Sequence, residues 1–144
     1  MIAEVLRLYP PVWATGREAI EDTRIGDMAI RRGTVVLLSP WATHRDARFF
    51  PEPDAFRPER WIDGLATRLP RFAYYPFGGG PRQCIGNTFA LVEGALLLAT
   101  IAQHCGLALV PGQTISPVPT STLRPARPVM MQISVPPANV VALR

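Results

Sequence analysis

Residues 77–86 read Phe-Gly-Gly-Gly-Pro-Arg-Gln-Cys-Ile-Gly, and the chemistry of the sequence is concentrated there. Cys84 stands just ahead of an apolar run, Asn87 to Cys105, that reads as a helix. Its sulfur would meet free amides and the positive end of a helix dipole, a setting that favours a thiolate. A thiolate can be a nucleophile, a redox centre or a metal ligand. The three glycines Gly78, Gly79 and Gly80 leave the backbone bare of Cβ atoms where something flat or bulky must approach. Arg82, two residues before the sulfur, suggests that an anionic group comes with it.

Other readings of the loop stand beside this one. Zinc asks for three or four ligands at short spacings, and Cys84, Cys105, His44 and His104 form no Cys-x-x-Cys or His-x-x-x-His pair. A nucleophilic cysteine asks for a base, and the loop supplies none. A buried structural cysteine in a tight turn explains the glycines but not Arg82. A Cys84–Cys105 disulfide would join a Gly-rich loop to the end of a helix, with nothing pointing to an oxidising compartment.

The elements that must position this loop can be read on either side of it. Residues 2–8 are strong helix formers and stop at Tyr9-Pro10-Pro11. Short strand-like runs follow between Arg17 and Ser39, separated by Gly26-Asp27 and by Arg31-Arg32-Gly33, and suggest a small antiparallel meander. Residues 40–81 are rich in proline and aromatics and allow one-turn helices at most, an irregular length that is usually functional. Asn87 to Cys105 reads as one helix stopped by Gly106. Its apolar residues nearly encircle the axis, which predicts burial on most sides. Two further strands, around residues 107–110 and 129–135, flank a proline-rich connection from Pro111 to Pro128.

The whole sequence has 144 residues, 48% apolar and 18% charged, a globular composition; 16 prolines and 11 glycines exclude a plain helical bundle. All 15 basic residues are Arg, against 11 acids, for a net charge of +4. The arginines are scattered and form no basic face, so no nucleic-acid partner is expected. The longest apolar stretch, Phe89 to Ile101, contains Glu93 and is too short to span a bilayer. With no basic stretch ahead of a long apolar run at the N-terminus, no signal peptide is expected. A soluble, cytoplasmic, bacterial setting is expected.

Taken whole, the loop resembles the haem-binding signature of the cytochrome P450 family, Phe-x-x-Gly-x-Arg-x-Cys-x-Gly, with Phe77, Gly80, Arg82, Cys84 and Gly86 at the fixed positions. The resemblance implies that Cys84 is the axial thiolate of a haem iron, pushing electron density toward it and favouring O–O cleavage. By the same resemblance Arg82 pairs with a haem propionate and Phe77 packs beside the ligand loop. Gly80 and Gly86 would let the backbone lie close under the ring.

Other segments agree in order. Glu4-Val5-Leu6-Arg7 resembles the family's Glu-x-x-Arg helix element, whose i, i+3 spacing puts both side chains on one face. Residues 56–61, Phe-Arg-Pro-Glu-Arg-Trp, resemble its Pro-Glu-Arg-Phe segment with Trp61 in place of the usual Phe, and imply a Glu4, Arg7, Arg60 triad holding the irregular segment to the helix. Arg17 would bind the second propionate. His44-Arg45-Asp46 matches a recurrent turn, read as structural. Val12, Trp13 and Ala14, with Thr15 and residues 119–122, correspond to substrate-lining segments.

The resemblance begins inside the Glu-x-x-Arg helix and runs through the chain. It implies an α+β arrangement, the C-terminal part of the mainly-α P450 fold, with residues 1–144 as one incomplete domain. The implied activity is that of a haem b monooxygenase inserting one atom of O2 into a small apolar substrate, reduced by a ferredoxin or flavoprotein that docks near residues 68–84, where Arg68, Arg71 and Arg82 lie. The family's distal helix, whose acid and Thr handle O2 protonation, has no counterpart in this sequence, so no catalytic residue is assigned. The alternative is a truncated, non-catalytic fragment with weak or no haem binding.

Overall fold

A computed structural model describes residues 1–135. Helix α1 (Ile2–Leu8) is followed by strands β1 (Thr15–Glu18), β2 (Thr23–Ile25), β3 (Met28–Ile30) and β4 (Val35–Leu38). Next come the single-turn helices α2 (Pro40–Thr43) and α3 (Leu65–Arg68), 3-10 turns at Pro58–Trp61 and Gly80–Arg82, and the long helix α4 (Asn87–His104). Strands β5 (Gly106–Leu109), β6 (Pro117–Pro119), β7 (Leu123–Pro125) and β8 (Met131–Ser134) complete the α+β arrangement.

Helix α1 ends because Pro10 and Pro11 cannot continue it; the Tyr9 N–H closes the last turn on the Val5 carbonyl at 2.7 Å. The strands that follow are antiparallel and nested, β1 with β4 and β2 with β3, so the inner hairpin is carried at the tip of the outer ladder. That outer ladder pairs Arg17 with Val36 and fixes where Arg17 sits. The irregular stretch from residue 40 contains only one-turn elements. The first, α2, is capped by Ser39, whose Oγ accepts from the Ala42 N–H at 3.3 Å, with Pro40 at the first helical position.

Three expectations change. Gly106 does not stop α4 in a left-handed cap: Cys105 is already extended, with φ −153° and ψ 153°, and Gly106 opens β5 opposite Ser134. The proline-rich connection holds a hairpin, β6 against β7, with Val118 opposite Arg124. Its prolines sit where a two-stranded ladder tolerates a missing N–H, which hid it from a propensity reading. Helix α4 is not buried in this chain: Phe89 is 71% exposed, Leu96 63% and Leu97 57%. The element it meets is α1, where Ile2 Cδ1 lies 3.6 Å from the Cβ position of Gly94.

Burial concentrates where α1 meets residues 44–75. Among the described residues Leu8, Phe50 and Ala73 are buried, with Pro10 and Pro40, and Glu4, Arg7 and His44 are buried with them, each of these three at 0% exposure. The centre of this chain is therefore as much polar as apolar, and its polar members need partners.

Candidate functional site

The i, i+3 spacing on α1 sets Glu4 and Arg7 side by side. Arg7 donates through Nε and Nη2 to the two Glu4 oxygens at 2.9 and 2.8 Å, the forked geometry that suits a guanidinium best. Its other N–H groups reach the carbonyls of His44, Pro53 and Ala55 at 2.8, 2.6 and 3.0 Å. Glu4 also accepts from the Arg57 backbone N–H at 2.9 Å, from Arg60 Nε at 3.1 Å and from Trp61 Nε1 at 2.8 Å. Burial raises the Glu4 carboxyl; the hydrogen bonds from Arg7, Arg57 and Trp61 and the Arg7 charge outweigh it and hold the group at about 2.

The motif, in which Trp61 stands where Phe is usual, does not mark the Trp61 contribution. The signal was the indole N–H, which a buried Trp must place on an acceptor.

The same polar knot reaches the stretch that leads into the cysteine loop. His44 is fully buried, and its Nε2 accepts the Tyr75 backbone N–H at 2.9 Å. Burial pushes His44 down to about 4 against the opposing pull of the Arg7 and Leu6 carbonyls, with the Arg7 and Arg45 charges helping, so the ring is neutral near pH 7. Tyr74 donates to the Ala3 carbonyl at 3.0 Å and packs on Trp61, ring centroids 4.6 Å apart. Burial, then the nearby Glu4 charge, raises its phenol above the usual range.

Beyond Tyr75 the chain turns through Pro76, Phe77 and the glycines. Gly80 has φ +69°, a left-handed backbone that a side chain would strain. At Gly79 a Cβ would lie 2.3 Å from Phe72 Cε1, so the flat group that closes on the triple glycine is a ring of this chain. The Cys84 N–H donates to the Phe77 carbonyl at 2.9 Å, closing the loop, and the thiol is exposed and unpaired.

A groove of about 400 Å³ opens over that sulfur, within the range of small-molecule pockets. Its lining comes from the segment before and into β1 (Pro11, Val12, Thr15 and Arg17), from Tyr75 to Gly78 with Arg82 and Cys84, and from Pro40 and Ala90. Arg17, Phe77, Arg82, Cys84 and Val12 thus share one groove, which Gly80, Gly86, Trp13 and Ala14 do not line. Gly86 caps α4 instead. Trp13 turns to the β6–β7 hairpin, its Nε1 donating to the Thr120 carbonyl at 2.8 Å. Arg17 donates to Thr15 Oγ1 at 3.1 Å and to the Gly16 carbonyl at 2.7 Å, and neither it nor Arg82 meets a carboxylate among the described residues.

Among the described residues no three His, Cys, Asp or Glu side chains gather as a metal site. A bare ion would therefore find a single sulfur. A metal carried in its own tetrapyrrole needs only an axial ligand from the protein. An exposed thiol between apolar walls, with two guanidiniums uncommitted to any acid, suits an iron porphyrin with two carboxylates, and the residues present fit that group.

The family model described as Cytochrome P450 matches residues 1–133. Cyclooctatin synthase of Streptomyces melanosporofaciens is 42% identical over 123 residues, 85% of this chain and 27% of that protein. Putative cytochrome P450 132 of Mycobacterium tuberculosis is 44% identical over 124 residues, 86% of this chain and 27% of that protein. Among solved structures, "Retinoic acid bound cyanobacterial CYP120A1" matches with a TM-score of 0.86 and 38% identity over 93% of this chain and 31% of that one. The chain spans about a quarter of the length of the curated relatives it matches. No helix among the described residues is long and apolar enough to cross a membrane. With the family model running through nearly every described residue and the fold superposing on a solved relative, the chain belongs to the cytochrome P450 family, whose cofactor is haem.

Proposed function

We propose that these residues are the C-terminal, haem-holding portion of a haem-thiolate monooxygenase, which inserts one oxygen atom of O2 into a small apolar organic substrate. The observation that carries this reading is the groove that Cys84 shares with Arg17, Arg82 and Phe77. Cys84 is the lone cysteine there, so a porphyrin held without thioether bonds, haem b, is the form we assign. When bound, the haem supplies the dioxygen chemistry, favoured by an anionic sulfur ligand.

The chain's own part is to hold and orient. Cys84 would offer its sulfur to the haem iron, its backbone held by the hydrogen bond from its N–H to the Phe77 carbonyl. Arg17 and Arg82 would pair with the carboxylates of the haem, and Val12, Pro11 and Phe77 would give it apolar walls. A ferredoxin or flavoprotein donor docks beside the loop, where Arg68, Arg71 and Arg82 form no ion pair among the described residues. The relatives from Streptomyces support a bacterial source, and a cytoplasmic setting is part of the same proposal.

The test is the absorbance spectrum of the reduced, CO-bound protein. We expect the red-shifted Soret band of thiolate ligation, lost in Cys84→Ser; a band that survives this substitution overturns the assignment. Reversing Arg68 and Arg71 to Glu should slow reduction by an acidic donor, most clearly at low ionic strength. Unchanged reduction kinetics would remove that surface from the docking site.

The open flanks of α4 favour a second reading for the chain taken alone, a non-catalytic fragment with weak or no haem binding. The same spectrum separates the two, since a chain that retains no haem leaves only the fragment.

A further inference from the structure

His44 lies outside the groove, yet it occupies the centre of the chain at 0% exposure. A buried imidazole is a poor choice for packing alone, because both ring nitrogens need partners that an aliphatic side chain would not. Here Nε2 is satisfied by the Tyr75 N–H at 2.9 Å, which puts the ring proton on Nδ1. Among the described residues Nδ1 itself has no hydrogen bond of good geometry, although the Arg7 and Leu6 carbonyls act on the ring. The imidazole is thus kept at a cost on one side, and what it delivers on the other is a single acceptor for one backbone amide.

That amide stands at a junction. Arg7 Nη1 donates to the His44 carbonyl at 2.8 Å, so the residue offering the acceptor is itself clamped to the Glu4–Arg7 pair. Tyr75 accepts the Gly78 N–H on its carbonyl at 2.9 Å, forming the turn that carries Phe77, and the Phe77 carbonyl accepts the Cys84 N–H at 2.9 Å. Tyr75 is held a second time by its hydroxyl, 3.1 Å from Thr43 Oγ1. A continuous series of hydrogen bonds and short turns therefore runs from α1 to the amide of Cys84, and within it His44 Nε2 is the acceptor for the Tyr75 amide.

We propose that His44 is a positioning residue for the Cys84 loop: its Nε2 anchors the Tyr75 amide and thereby sets the turn that presents the sulfur to the groove. It does not line the groove and acts through Tyr75. The proposal rests on the reading of Cys84 as the axial ligand, since a misplaced loop shows itself as a misplaced sulfur. A ligand atom must be held to within about half an ångström to bind productively, which gives one backbone anchor its leverage.

The experiment compares haem-loaded full-length protein with His44→Met, which fills similar space without a strong acceptor, and His44→Gln, whose amide oxygen can replace Nε2. The readout is the ratio of red-shifted to unshifted Soret bands in the reduced, CO-bound state at equal haem content. His44→Met should lower that ratio by about fivefold, the worth of one hydrogen bond, and His44→Gln should restore most of it. An unchanged ratio in His44→Met, or a loss in His44→Gln equal to that in His44→Met, would overturn the proposal. If His44→Met does not accumulate as holoprotein, amide exchange of the parent decides: slow exchange at Tyr75 supports the anchor, and exchange at the open-chain rate refutes it. Cys84→Ser in the parent background is run alongside. A red-shifted band that persists there refutes the axial-ligand reading itself, whatever the His44 variants do.

Discussion

Glu4 takes five hydrogen bonds on two oxygens, from Arg7 twice, Arg57, Arg60 and Trp61. Replacing it by Ala leaves the Arg7 guanidinium buried without its counter-charge, and should destabilise the complete protein by about 3–5 kcal/mol, read as a fall in the denaturant midpoint. Trp61→Phe deletes one donor and keeps the ring, so about 1 kcal/mol is expected. Acid should act in two windows. As pH falls below 6.5 the unfolded chain protonates the imidazole of residue 44 while folded His44 stays neutral to about 4, so the His44 share of stability drops across that interval by roughly 3 kcal/mol and then levels off. The Glu4 contribution is present above 4.5 and is lost as pH falls through about 2. Unfolding midpoints measured across both windows check this, and His44→Gln should flatten the upper one. At this scale the sequence was legible where chemistry is local: Cys84 and Arg82 announce themselves two residues apart. The partners of His44 and the indole N–H of Trp61 were not, because they depend on which distant backbone groups the fold brings within reach.

Among the elements, the cysteine loop is held from behind by Phe72, which leaves Gly79 no room for a side chain. Gly79→Ala should therefore loosen the loop by about 1–3 kcal/mol and lower haem retention, and Phe72→Leu in the same protein should recover part of the loss. A Gly79→Ala variant with unaltered haem retention would show that the loop yields freely. The strands show why element reading succeeded in part. β4, Val-Val-Leu-Leu, and the Val129 to Val135 run that contains β8 carry enough apolar and β-branched residues to be visible. β6 and β7 were masked by Pro117, Pro119 and Pro125, and are held as much by the Leu123 N–H on the Pro11 carbonyl, at 2.8 Å, and by Trp13 on Thr120 as by their own ladder. Those ties cross more than a hundred positions, from the segment before β1 to the hairpin, and no local pattern records them.

At the scale of the molecule, the largest fully buried side chains among the described residues are Arg7, Phe50, His44, Glu4 and Pro10, an unusual share of polar groups. Its main apolar surface lies instead on the open flanks of α4. The all-round hydrophobicity of α4 was read correctly from its sequence; what covers it could not be, since a pattern specifies a need for neighbours without naming them. The chain alone should therefore bind an apolar dye and self-associate, and Leu96→Glu with Leu97→Glu should reduce both, as scattering and dye fluorescence would report. The polar knot has a consequence in time. Its bonds join positions 53 and 57 residues apart, whereas α4 closes each turn on itself, so the helix can form in isolation while the knot must wait for a long loop to close. Refolding followed by Trp61 fluorescence should then show a slow closure, with cofactor capture trailing it and never preceding it: the chain assembles its clasp before it has a place to put the ring.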